Sequence, residues 1–239
     1  MDKLSTTIRV FLLSAFIATG AFANTVTLDT TFNGTGYRLQ SVIPEQSQGY
    51  SMVLQPDGKI LVGGTTNDNL NTQSSQRFAV IRLNSDGSLD DTFGTGGIVT
   101  TLIGFSASEG VLRLQPDGKI LLAGTSYTDG NFYDFTIIRY NMDGTLDTSF
   151  NKTGFAVKSF NESSLDEVRD ITLQADGKII LVGRTGQIPG IPNIEFNIGV
   201  MRFNSNGTLD TDFNGTGMRI IGSPSVWEEA HAVVAQADG

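Results

Sequence analysis

The residues that could do chemistry are few, and their spacing narrows what they could do. His231 is the sole histidine of the 239-residue chain. Sister positions sixty or so residues apart hold Tyr50, Gly110 and Arg169, so His231 is not a repeated ligand. One histidine without a partner makes a weak case for a general base. Three carboxylates are better placed: Glu109, Glu167 and Glu229 each close an equivalent loop. They are expected to form an acidic rim that attracts cations, calcium among them, or a basic partner. Exposed solvating charge is the competing account. Tyr127, Phe132, Tyr133 and Trp227 fall near the same loops, where aromatic rings could stack on a sugar or peptide. Core packing is the other home for them. No catalytic, cofactor or metal residue is assigned.

Two local motifs look chemical and read better as turns. Asn84-x-Asp86-Gly87-x-Leu89-Asp90 and its copies have the start of a calcium loop. They lack the remaining oxygen ligands and the closing glutamate, and Asn206 replaces the aspartate in the third copy. Gly94-Thr95-Gly96-Gly97 opens a strand, whereas phosphate-binding glycine loops open a helix. With no cysteine, disulfides, thiolate zinc sites and cysteine nucleophiles are excluded. A net charge of −9 removes the basic footprint of a nucleic-acid or anionic-lipid binder.

The elements that position these residues recur. Leu54-Gln55-Pro56-Asp57-Gly58-Lys59-Ile60 returns at Leu114 and Leu173, and the glutamines Gln55, Gln115, Gln174 and Gln236 stand 60, 59 and 62 apart. The phenylalanines of Leu-Asp-x-x-Phe (Phe32, Phe93, Phe150, Phe213) keep phase, as do Arg82, Arg139 and Arg202. Three landmarks in register define tandem units of about 28–88, 89–145 and 146–208, with a partial unit at 209–239. Each reads as four short strands. The first follows a glycine-rich corner (Tyr37 to Val42, Ile98 to Ile103, Phe155 to Phe160, Met218 to Ile221). The second alternates. The third, Ile60 to Gly63 and its copies, is apolar throughout, as expected of a strand covered on both faces. The fourth is Phe78 to Leu83 and its copies. Pro56-Asp57-Gly58 makes a tight hairpin, and Ala175 in the third copy keeps the negative φ it needs.

Four antiparallel strands per unit predict an all-β fold of β-propeller-type blades, incomplete at about three and a half repeats. The fourth unit stops at its own turn, so the natural product is expected to continue. The stereotyped turns lie at one end of each blade and the variable loops at the other, which makes the variable end the candidate binding face.

The run Gln-Pro-Asp-Gly-Lys-Ile-Leu-Val-Gly-Gly, followed by Phe-x-x-x-Arg-x-Asn-x-Asp-Gly-x-Leu-Asp-x-x-Phe-Gly, resembles the delta-60 repeat. That bacterial family is mostly exported and has no assigned activity. The likeness spans Asn24 to Gly239 and implies a propeller and export, with no site residues to carry over.

Lys3 and Arg9, the apolar run Val10 to Phe22 and the Ala21-Phe22-Ala23 ending fit a signal peptide over residues 1–23, cleaved after Ala23. No later run is long enough to span a membrane. The expected product is an exported protein, periplasmic, extracellular or on the cell surface. It is expected to be a non-catalytic repeat scaffold with a binding or surface-display role through its variable loops, the ligand being a protein or carbohydrate. The alternative is a hydrolase or lyase sited on that same face.

Overall fold

A computed structural model describes residues 8–10, 27–42, 46–67, 76–128, 132–161, 164–186, 196–223 and 226–237. Most of the segment read as a signal peptide, and the tips of the loops after Asn67, Thr128 and Gly186, lie outside these residues.

Within them the chain is all β. Strands β1 (Ile8–Val10) and β2 (Arg38–Gln40) pair antiparallel. Three four-stranded antiparallel sheets follow. The first is β3 (Gln46–Leu54), β4 (Ile60–Asn67), β5 (Gln76–Leu83) and β6 (Ile98–Thr101). The second is β7 (Ser106–Leu114), β8 (Ile120–Tyr127), β9 (Tyr133–Tyr140) and β10 (Phe155–Lys158). The third is β11 (Leu165–Leu173), β12 (Ile179–Gly186), β13 (Phe196–Phe203) and β14 (Met218–Ile221). The sheets stack face to face as blades, β7 against β3 to β5 and β11 against β7 to β9, without closing into a ring.

The strand pairing shifts the phase of the unit. The strand that opens each sequence unit joins the sheet before it: β6 pairs with β5, and β10 and β14 do likewise with β9 and β13. The reason lies in the chain path. The Asn-x-Asp-Gly turn and glycine corner fold the chain back on β5, and Arg82 N donates to Gly97 O at 2.9 Å. Only a few residues then lead to β7 in the next sheet. Three sheets are therefore complete, and the rest of the fourth unit is one segment, residues 226–237. That segment forms no ladder, yet it docks where an inner strand would. Val233 N donates to Asp170 Oδ2 at 2.9 Å, matching the donation from Leu112 N to Ser51 Oγ at 2.7 Å.

The hairpins form as their residues dictate. Gly177 takes φ +83°, with Gly177 N on Gln174 O at 3.0 Å, so Ala175 does preserve the turn. Strand β4 is buried on both faces, as its unbroken apolar run requires. The core lies between sheets. Leu61, Phe78, Leu112 and Tyr140 fill the first seam, and Phe135, Phe150, Ile171 and Phe203 the second. Leu112 and Ile171 are fully buried, but their counterpart Met52 is 47% exposed. Beside β3 the described residues place only the short β1–β2 pair, not another four-stranded sheet.

Candidate functional site

At the variable-loop end the inner strands β3, β7 and β11 begin, and each carries an irregularity in register. Pairing slips between Gly49 and Ser51, between Ser108 and Val111, and between Val168 and Asp170. Bulges of this kind re-aim side chains. Glycine opposite the bulge makes room for it: a Cβ on Gly183 would lie 1.9 Å from the Glu167 carbonyl oxygen, and one on Gly64 equally close to that of Gln48.

The bulges assemble a charged cluster. Arg169, skipped by the ladder, donates to Glu109 Oε1 at 2.7 Å and to Glu167 Oε2 at 2.8 Å, and stands 3.6 Å from Glu229 Oε2. Arg184, from β12, donates to Glu167 Oε2 at 2.8 Å and lies 3.5 Å from Glu229. His231 Nε2 is 2.9 Å from Glu229 Oε1, with its side chain 73% exposed. Glu109, Glu167 and Glu229 thus gather around Arg169. The rim does not face solvent as bare negative charge, however. Two guanidiniums sit among three half-buried carboxylates and neutralise most of their charge. Sequence reasoning met Arg169 only as a sister of His231, and the one signal that could have marked it was its position beside a glutamate at the bulge.

Burial pushes the Glu109 carboxyl up, and its like-charged neighbour Glu167 adds to this; Ser108 and Arg169 oppose. For Arg169, burial works against the charged form, but the three glutamates outweigh it and hold the guanidinium above its ordinary value. On the far side of Glu109, burial raises the Tyr50 hydroxyl, which donates to Gln48 Oε1.

Of the predicted aromatics, Trp227 joins the cluster. It is 62% exposed, its ring lies 4.8 Å from that of Phe196, and Arg184 packs over both rings at 5.5 and 4.3 Å. Tyr127 stands elsewhere, in contact with Phe105 and Tyr133. Among the described residues, no group of three or more His, Asp and Glu side chains is arranged to hold a metal ion. The calcium-like motif is a turn: Asp86 Oδ1 accepts from Ser88 N and Oγ at 2.9 and 2.7 Å.

At the opposite end, the repeat landmarks meet one another. Asp90 Oδ2 accepts from Arg82 Nε at 2.6 Å and Lys59 Nζ at 2.8 Å, while Arg82 stacks 4.6 Å over Phe93. Lys119, Arg139, Asp147 and Phe150 repeat the arrangement, as do Lys178, Arg202, Asp210 and Phe213. The first two arginines also reach the next unit: Arg82 donates to Met142 O and Arg139 to Ser205 O. The lysine after the hairpin glycine is therefore a structural anchor, which the turn reading alone did not disclose.

Three segments, residues 55–93, 115–150 and 174–213, match the family model described as "Domain of unknown function (DUF5122) beta-propeller". Each of the three segments is similar to a β-propeller repeat. Each DUF5122 match runs from the hairpin glutamine to the landmark phenylalanine, and so contains one complete Lys-Arg-Asp-Phe anchor. Glu109, Glu167, Arg169, Trp227, Glu229 and His231 all fall outside the DUF5122 segments. The recurring motif specifies the scaffold, and the charged cluster, Arg184 apart, lies outside the matched segments.

A solved structure of a protein of unknown function from Dyadobacter fermentans DSM 18053 is similar at 14% identity and a TM-score of 0.43. The likeness covers 74% of this chain and 54% of that one, so the chain spans about half of that protein's length. No curated protein matches the chain.

Proposed function

We propose that the chain is a non-catalytic scaffold of the exported delta-60 type that binds a protein or carbohydrate ligand through its variable-loop end. The observation that carries this reading is the gathering of Glu109, Glu167 and Glu229 around Arg169 and Arg184, with the exposed Trp227 ring beside them. A flat aromatic ring next to paired donors and acceptors suits hydroxyl-rich or peptide surfaces. The alternative, a hydrolase or lyase on the same face, needs a free acid or base. Glu109 and Glu167 are hydrogen-bonded by guanidiniums instead, and Glu229 stands within 3.6 Å of both arginines.

Binding to glycan and peptide arrays tests the proposal, using the wild type with Arg184→Gln and Trp227→Leu. Saturable binding weakened at least about tenfold by either substitution, a change of roughly 1.4 kcal/mol, is the expected result. Failure to bind either array, or binding that survives both substitutions, refutes it.

Export rests on the N-terminal pattern: positive start, apolar run, small-residue ending. No helix among the described residues is long and apolar enough to cross a membrane. Intact-mass analysis of secreted protein should give a chain starting at Asn24, which removes β1. A product retaining Met1 in the cell interior refutes export.

A further inference from the structure

The seam between the second and third sheets holds two aspartates that the charged cluster does not use. Asp134, on β9, and Asp166, on β11, are 3% and 0% exposed. Neither has a lysine or arginine paired with it among the described residues. Each keeps one oxygen, Oδ1, buried without any hydrogen-bond partner. A buried carboxylate left in that state is costly unless something positive meets it.

The neighbouring donors are spent on other oxygens. Asp166 Oδ2 accepts from Phe160 N at 2.9 Å, from Ser164 Oγ at 2.8 Å and from Ser159 Oγ at 3.0 Å. The Ser159 hydroxyl also lies against the Asn161 carbonyl oxygen and within reach of Asp134. Ser164 Oγ faces the same carbonyl at 3.0 Å. Thr128 Oγ1 donates to Asp134 Oδ2 at 3.3 Å, Thr185 faces Asp166 across the ladder, and Ser164 N donates to the Asn161 carbonyl at 3.2 Å. With those donors spent, the two Oδ1 atoms are still unserved. Carboxylates, hydroxyls and a backbone carbonyl are the ligands a hard cation takes, and calcium accepts them in an irregular shell of about 6–8 oxygens.

We propose that Asp134 and Asp166, with Ser159 between them and the Asn161 carbonyl beside it, form a calcium-binding site that clamps the second sheet to the third. The two aspartates come from different sheets, so the bound ion cross-links the blades and stabilises their stacking. The site is separate from Glu109, Glu167 and Glu229, whose carboxylates already meet arginine.

The experiment uses the full chain, stripped with a chelator and followed by calorimetry as calcium or magnesium chloride is added. Terbium luminescence sensitised by Tyr127 and Tyr133, which flank Thr128 and Asp134 in sequence, reports occupancy directly. Calcium is expected to raise the unfolding midpoint by several degrees and to displace terbium, with magnesium much weaker. Asp134→Asn and Asp166→Asn keep the shape of the site and remove like charge, so both fold; each should abolish the calcium-linked shift. Glu109→Gln should leave that shift unchanged. Absence of a shift in the wild type, its survival in both Asn variants, or its loss in Glu109→Gln overturns the proposal. A midpoint insensitive to calcium that falls as pH rises through the carboxylate range identifies a proton shared by the pair, and overturns it equally.

Discussion

Replacing Asp147 by alanine should expose what holds successive blades together. Asp147 Oδ2 accepts from Arg139 Nε at 2.7 Å and Lys119 Nζ at 3.0 Å, and Oδ1 from Ser149 N and Oγ at 3.1 and 2.6 Å. Lys119 is 29% exposed and also donates to Asn141 Oδ1 at 2.9 Å, so it keeps a partner and access to water without Asp147. Arg139 has no such route. Its side chain is 9% exposed, it lies over the Phe150 ring, and one of its nitrogens holds Ser205 O of the next unit at 2.6 Å. The substitution therefore leaves a buried cation without its counter-charge, which costs about 3–5 kcal/mol. For a chain of this length that lowers the unfolding midpoint by roughly 6–20 °C. The cost also depends on pH. Burial alone would push the Asp147 carboxyl up, but the bonds from Ser149 and Lys119 outweigh it and hold the carboxyl well below its usual range. Its stabilisation is present above the unfolded value of about 3.9 and fades as pH falls below it. Calorimetry at neutral pH and near pH 3 should show the difference between wild type and Asp147→Ala shrink at the lower pH. The double variant Arg139→Met, Asp147→Leu replaces both charges with apolar groups and should recover most of the loss. A loss under about 1 kcal/mol at neutral pH, or a double variant no better than the single, refutes the reasoning.

The remaining expectations concern the variable-loop end. Gly183→Ala drives a methyl into the Glu167 carbonyl and should cost at least about 1–3 kcal/mol by chemical denaturation, because backbone on both sides must shift. Arg169→Gln removes the cation facing three carboxylates. Glu109, already pushed up by burial, then rises further, so the variant should be most stable in mild acid and lose stability as pH climbs through the raised value. A pH–stability profile parallel to wild type counts against that assignment. Trp227 emission, the only tryptophan signal, should shift in Arg184→Gln, since Arg184 packs over its ring; an unchanged spectrum means the ring does not rest there.

Much of the fold was legible in the chain because its turns are local. Pro56-Asp57-Gly58 and Asn84-Ser85-Asp86-Gly87 fix their own backbone angles, so hairpins and the repeat period could be read from neighbouring residues. The unbroken apolar run from Ile60 declared a strand covered on both faces. The spacing of Arg82, Asp90 and Phe93 recurs without change at Arg139, Asp147 and Phe150, yet their ion pair and cation–π stack were invisible. A fixed interval in sequence does not say which side chains share a pocket.

The chain by itself determined that antiparallel strands recur every sixty residues or so, and that Glu109, Glu167 and Glu229 sit at comparable ends of them. Only the tertiary structure decided which sheet takes the strand at Ile98, because β5 before it and β7 after it are both within reach and the ladder hydrogen bonds form with β5. It also decided that the glutamates meet arginines rather than water. That outcome hangs on a one-residue slip at Arg169, which turns a side chain from one face of the strand to the other. Asp134 and Asp166 tell the same story: thirty-two positions apart in sequence, they share a seam only because two blades are pressed together.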